Sequence, residues 1–273
     1  MSSPNEPSVP TLGELGRDLL DVALWRVAVS LATPFVLAGA YFAVAGAGWW
    51  PVAVGCVVAL SFVTYGSVSH DLVHRTLRLP KQWNDIFLTA IELLVLRSGR
   101  AYRLAHLNHH ARYPEASDDP EAAAAHRGLF AALASGPLFF LRLWYWAVRR
   151  YPAHRPRLLL EGVVSAGLVS AAVVAAACGW SVVLLVYVGL AYLGTWLVPL
   201  ATAYIPHTPA GGSPLLRTRR FRGWLVRLVA LDHLYHLEHH LFPSVPHHRW
   251  PELARRLDPH LDRAGVPAVR VGL

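Results

Sequence analysis

Four long apolar runs organise the chain, at Val27–Val44, Val52–Val68, Leu158–Cys178 and Val182–Tyr204. A helix needs about 20 mostly apolar residues to cross ~30 Å of hydrocarbon. Each run is near that length, and the one charged residue in any of them is Glu161, at the entrance of the third. A shorter run, Ile86–Leu96, is interrupted by Glu92 and is too short to cross, so it reads as a re-entrant or interfacial helix. Trp49, Trp50 and Trp180 stand at run ends, where an interfacial aromatic belt lies. The leading residues are polar and rich in Pro and Ser, with no basic stretch followed by an apolar one, so no cleavable signal is evident. The pattern predicts an all-α integral membrane protein. Residues 1–22 form a disordered or amphipathic lead-in, and residues 23–273 form a single domain of four transmembrane helices with a helical cap.

Charge fixes the orientation this pattern implies. All 25 Lys and Arg residues fall into three groups: Arg17 and Arg26 before the first run, thirteen from Arg75 to Arg157, and ten from Arg217 to Arg270. The loops between runs one and two and between three and four have none. With four spans, the three basic segments share one side, which the positive-inside rule makes cytoplasmic, termini included. The net charge of +8 and pI near 9.9 therefore read as a topology signal and not as a nucleic-acid footprint. Composition agrees with a membrane setting: 54% of residues are hydrophobic and 15% charged, with mean hydropathy +0.36. Cys56 and Cys178 lie within apolar runs and suggest no disulfide framework.

All fifteen histidines also fall on the basic side. His70 and His74 form HDLVH directly after the second run. His106, His109 and His110 form HLNHH, and His236, His239 and His240 form HLEHH. Spacings of three and four place each group on one helix face. His207 ends the fourth run in TAYIPH. Unpaired imidazoles near lipid are costly to desolvate, and a metal offsets that cost because neutral imidazole is a common ligand. Eight or nine nitrogens suit two metals with four or five each, more than a four-coordinate zinc uses. No HExxH is present, and no thiolate cluster is evident. Ligand type alone leaves Fe, Cu, Ni and Zn open.

The series HxxxH, HxxHH, HxxHH, with LFPSVP trailing the last box, resembles the membrane fatty acid desaturase superfamily over about residues 52–255. That resemblance implies two non-haem iron ions that activate O2. Their ligands would be His70, His74, His106, His109, His110, His236, His239 and His240, with His207 as the further ligand found in some members. Where acyl-CoA desaturases of that kind carry an Asn four residues before this histidine, the chain has Ala203. Asp71 and the Asp118–Asp119 pair of EASDDPE match acidic positions that would orient ligand rings through the second ring nitrogen. His233 is a further candidate for such a supporting place, and Glu238 points away from the metal. His126, His154, His247, His248 and His260 read as surface residues.

The resemblance implies oxidation of a lipid by desaturation, hydroxylation or ketolation. A fatty acyl chain is the leading substrate. The alternative is a carotenoid, because YIPHTP and TRRFRG resemble carotenoid ketolases and hydroxylases of the same superfamily. No flavin, nicotinamide or fused cytochrome b5 motif appears, so an external electron donor such as a ferredoxin is implied. A non-catalytic membrane metal-binding or transport protein is the reading of another class. It would need polar residues along the spans, and these runs have almost none.

Overall fold

A computed structural model describes residues 9–115, 117–228 and 232–272. Helices dominate. Among the described residues the strands are β1 (Arg220–Arg222) and β2 (Ala268–Arg270), paired in parallel.

Helix α1 (Leu24–Gly46) and helix α2 (Trp50–Val63) are joined by a tight turn at Gly48, whose φ of 82° suits a residue without Cβ. Helix α2 widens into a π-helical turn, Thr64–Val68, then tightens again as α3 (Ser69–His74). Helices α4 (Lys81–Leu94) and α5 (Gly99–Arg112) pack closely at their junction. A Cβ on Gly99 would lie 2.8 Å from the Leu88 carbonyl oxygen. Ser98 caps α5 by accepting the Ala101 N–H at 3.0 Å. Helices α6 (Phe139–Arg150), α7 (Arg155–Ala177) and α8 (Val183–Gly194) follow, and the chain reaches a second π-helical turn at Pro199–Tyr204. Helix α9 (His236–Leu241) carries the third histidine group, and α10 (Trp250–Arg263) closes the cap.

Among the described residues, five helical stretches are long and apolar enough to cross a membrane: Arg17–Gly46, Trp50–His74, Leu129–Arg150, Pro152–Ala177 and Val183–Tyr204. Four of them cover the four sequence runs to within one residue. Leu129–Arg150 is additional. Its buried residues Phe139, Leu143 and Ala147 recur at a spacing of four, while Arg142, Arg149 and Arg150 are exposed alongside Phe130, Leu141 and Tyr145. The Ile86–Leu96 run falls mainly in α4, a helix of 14 residues. At 1.5 Å per residue it covers about 21 Å, short of the hydrocarbon thickness. Large apolar side chains such as Val36, Val163 and Trp180 are more than 60% exposed, as expected of a surface facing lipid.

Buried charge is paired. Arg97 and Glu92, both almost fully enclosed, meet at 3.3 Å. Glu161 accepts hydrogen bonds from Thr89, Ser98 and Arg157 at 3.0, 2.5 and 3.0 Å, tying α7 to α4 and the start of α5. The cap has its own core, built from Leu237, Trp250, Leu253, Leu257 and Leu261. Two short helical turns, Leu12–Leu15 and Arg17–Leu20, dock on it through buried Leu15 and Leu19. The Arg256 guanidinium secures them by donating to Asp18 at 2.6–2.7 Å and to the Leu15 carbonyl at 2.8 Å. Part of the segment read as disordered or amphipathic is thus folded against α10, and residues 1–8 lie outside the described residues.

Candidate metal centre

Each span end aims its histidines through a distorted turn. Helix α3 follows the Thr64–Val68 π-turn and holds His70 and His74 on one face; the Pro199–Tyr204 π-turn ends three residues before His207. Such turns shift a helix face and recur at functional sites. Helix α5 brings His106, His109 and His110, and α9 brings His236, His239 and His240.

These nine imidazoles form two adjacent sets. His70, His74, His106 and His239 present ring nitrogens within 4.8 Å of one another, and so do His109, His207, His236 and His240. His110 joins the first set: its Nε2 lies 2.7 Å from that of His239 and 3.2 Å from that of His106. The His70 Nε2 is 3.1 Å from those of His106 and His239. In the second set the His207 Nε2 is 3.0, 3.1 and 3.2 Å from those of His109, His236 and His240. The sets touch where the His110 and His240 rings stack at 4.4 Å.

Protonation makes these contacts informative. The His207 Nδ1 lies 2.7 Å from the Ala203 carbonyl, which can only accept, so Nδ1 carries the proton. The His109 Nδ1 donates to Asp119 at 2.7 Å, and the other oxygen of that carboxylate accepts the Glu121 and Ala122 backbone N–H groups. Burial holds His207 well below the usual imidazole range, and it does the same for His106, His110, His236, His239 and His240. The His207 Nε2 is therefore a lone pair, and the Nε2 atoms of His109, His236 and His240 crowd it at 3.0, 3.1 and 3.2 Å, where it can accept from only one of them. Hydrogen bonds among the rings do not satisfy all of these contacts; a shared cation would. Two nitrogens about 2.1 Å from one metal are ~3.0 Å apart at right angles and ~3.4 Å apart at a tetrahedral angle. The 3.0–3.2 Å contacts of the second set are of the size that ligands of one metal ion take.

The supporting residues differ in part from the sequence reading. Asp119 orients His109. Glu121, within the same EASDDPE stretch but not singled out there, accepts from the His106 Nδ1 at 2.9 Å. Burial and the Asp119 carboxylate push the Glu121 carboxyl well above its usual range. Asp118 instead faces Trp146 at 3.3 Å and Arg150 at 3.4 Å, at the edge of the cap. The Asp71 carboxylate faces no ligand ring. It accepts from Thr76 at 2.7 Å and from the His247 ring and backbone at 2.5 and 3.0 Å. His247 is therefore not the surface residue the sequence suggests. Burial alone would lower its pKa, but Asp71 reverses the effect and raises it. Glu238 points away from both sets to Arg222 at 2.5 Å, and Arg222 also grips Asp258. His233 is buried beside His236, their ring centres 4.9 Å apart, and neither of its nitrogens has a hydrogen-bond partner among the described residues. Burial lowers its pKa to about 4.

Three cavities lie nearby. The largest, about 810 Å³ between α6, α7 and α8, touches none of the nine histidines. A cleft of about 270 Å³ between α2 and the Val183–Tyr204 stretch runs from exposed Val58, Phe62, Leu193 and Leu197 inward to Tyr65, Thr202 and His233. Those last three residues also line a space of about 10 Å³ against His106, His109, His207 and His236. Of the two larger cavities, only the 270 Å³ cleft shares lining residues with the space against the histidines.

Residues 47–271 match the family model described as Fatty acid desaturase. No curated protein matches the chain.

Proposed function

The chain belongs to the fatty acid desaturase family, and from that premise we propose that it is a membrane-bound, O2-dependent di-iron oxidoreductase that desaturates a fatty acyl lipid. The observation that carries this is the pair of adjacent imidazole sets, with three further ring nitrogens gathered within 3.2 Å of the His207 Nε2 lone pair. His70, His74, His106, His110 and His239 would hold one iron, and His109, His207, His236 and His240 the other. Irons held there would supply O2 activation and hydrogen abstraction from an unactivated C–H bond. The chain's own residues provide position and dryness. Glu121 and Asp119 keep the Nδ1 protons of His106 and His109 in place, so that Nε2 faces inward. Leu237 and Trp250, fully buried, exclude water beneath α9. The cleft between α2 and the fourth span admits an apolar chain from the bilayer.

A second reading, oxidation of a carotenoid, is favoured by the YIPHTP and TRRFRG segments, which meet in an antiparallel bridge between His207 and Thr218 beside the second set. In either case electrons come from a separate donor such as a ferredoxin.

Four crossings fit this function better than five. The N-terminal turns pack on α10, so the segments before the first span and after the last share a side. His74, which ends the second span, and His207, which follows the last, face one centre, so an even number of the three stretches between them crosses. We read Leu129–Arg150, with its three exposed arginines, as lying at the interface. The distribution of Lys and Arg makes the histidine side cytoplasmic.

The test is expression in a host with defined lipids, comparing the wild type with His239→Ala. A double bond that depends on His239, with two irons per chain, is the expected result. New polar carotenoids over an unchanged acyl profile would replace the acyl reading. Bound zinc without O2 consumption would overturn the enzyme.

A further inference from the structure

His233 is the one histidine beside the centre that belongs to neither set. It is 1% exposed, and both ring nitrogens lack a partner among the described residues. Leaving a buried polar group unpaired is costly, and the cost is recovered when a ligand supplies the missing partner. Its ring lines both the cleft and the small space against the ligand histidines, so a molecule entering from the bilayer meets it last. The cleft is graded. Its mouth is Val58, Phe62, Leu193 and Leu197; its inner end is Tyr65, Thr202 and His233. The Thr202 hydroxyl is committed to the Val198 carbonyl at 2.8 Å and reaches the Tyr65 hydroxyl at 3.5 Å. That leaves His233 as the unpaired group of the three.

We infer that His233 is a specificity-determining residue that hydrogen-bonds a small oxygen function, a hydroxyl or carbonyl, at the inner end of the lipid. The lipid enters with that end foremost and leaves its apolar tail between α2 and the fourth span. The space beyond His233 is about 10 Å³, room for about one water, so a bulky carrier or headgroup does not fit there. The carbons that reach the centre are then those next to the oxygen-bearing end, not those in mid-chain. This rests on the lipid-oxidising reading above and narrows its substrate class.

The test is binding, not turnover. Iron-loaded protein in detergent, kept anaerobic, is titrated with radiolabelled octadecan-1-ol and with octadecane, which differ by one oxygen atom. The wild type is expected to bind the alcohol about ten-fold more tightly. His233→Phe, which keeps a ring of similar size, should bind both probes alike at the alkane's wild-type affinity. His233→Gln, which keeps donor and acceptor, should retain part of the preference. Iron content should match the wild type in both variants, which separates a polar contact from a structural role. Equal binding of the two probes by the wild type overturns the inference whether or not a variant folds, and so does a preference that survives in His233→Phe. Two bound irons and a lipid product, without an alcohol preference, would sink this inference alone. An alcohol preference in a protein that makes no lipid product in cells would sink the oxidoreductase reading alone.

Discussion

Glu121→Ala should weaken one metal site and spare its neighbour. The Glu121 carboxylate holds the His106 Nδ1–H at 2.9 Å, and both side chains are at most 6% exposed. With the carboxylate gone, no water replaces it freely. The Nδ1–H loses its partner at about 1–3 kcal/mol, and the ring can turn or adopt the tautomer that buries the wrong nitrogen. Loss of an orienting carboxylate typically lowers metal affinity 10–100-fold, or ~1.4–2.7 kcal/mol. His106 belongs to the first set, whereas Asp119 supports His109 in the second. Chelator competition followed by iron analysis should therefore strip the Glu121→Ala protein to one iron per chain at a chelator level the wild type withstands. Asp119→Ala should do the same at the other site, with added loss of stability because Asp119 also accepts the Glu121 and Ala122 N–H groups at 3.0 and 3.2 Å. Glu121→Gln, which retains an acceptor oxygen, should lie between Ala and wild type. The reasoning is refuted if Glu121→Ala keeps both irons as tightly as the wild type. It is also refuted if either variant sheds both irons together, because each carboxylate would then not serve a single set.

Three further perturbations probe the surroundings of the centre. Arg222→Leu strands Glu238, which is fully buried; breaking such a pair costs about 3 kcal/mol or more, or roughly 6–12 °C in thermal midpoint. Adding Glu238→Leu should restore more than half of that in detergent melts, and no restoration would count against the pairing. Ala201→Phe places a ring in the cleft between α2 and the fourth span; it should abolish lipid oxidation with iron content unchanged, and full activity would exclude this cleft as the route. Cys178 is exposed in the turn between α7 and α8. A membrane-impermeant thiol reagent should label it in intact cells, whereas a cysteine introduced by Arg263→Cys should react only after lysis; the reverse pattern would invert the topology.

The histidines show how far a linear pattern reaches. Spacings of three and four put His106, His109 and His110 on one face, and likewise His236, His239 and His240, and the structure brings all six to one centre. Spacing does not say how a face is shared. His106 and His110 serve the first set and His109 the second; His239 serves the first, His236 and His240 the second. Consecutive helical residues point about 100° apart, so His109 and His110 diverge enough to reach different partners, as do His239 and His240. Which partner each meets depends on α5 and α9 approaching from different parts of the chain. Residues outside regular helices escape such a pattern for the same reason. Glu121 comes after an irregular turn fifteen residues past His106, where no periodicity links the two. His247 follows Pro243 and Pro246, which end the α9 pattern and fold the chain back onto Asp71. The Leu129–Arg150 stretch forms no long apolar run because Arg142, Arg149 and Arg150 interrupt its apolar residues. The spans follow from runs of apolar residues and the ligands from helical spacing. Asp119 and Glu121, which hold histidine rings, and His233 with its unpaired nitrogens depend on contacts that no local spacing encodes.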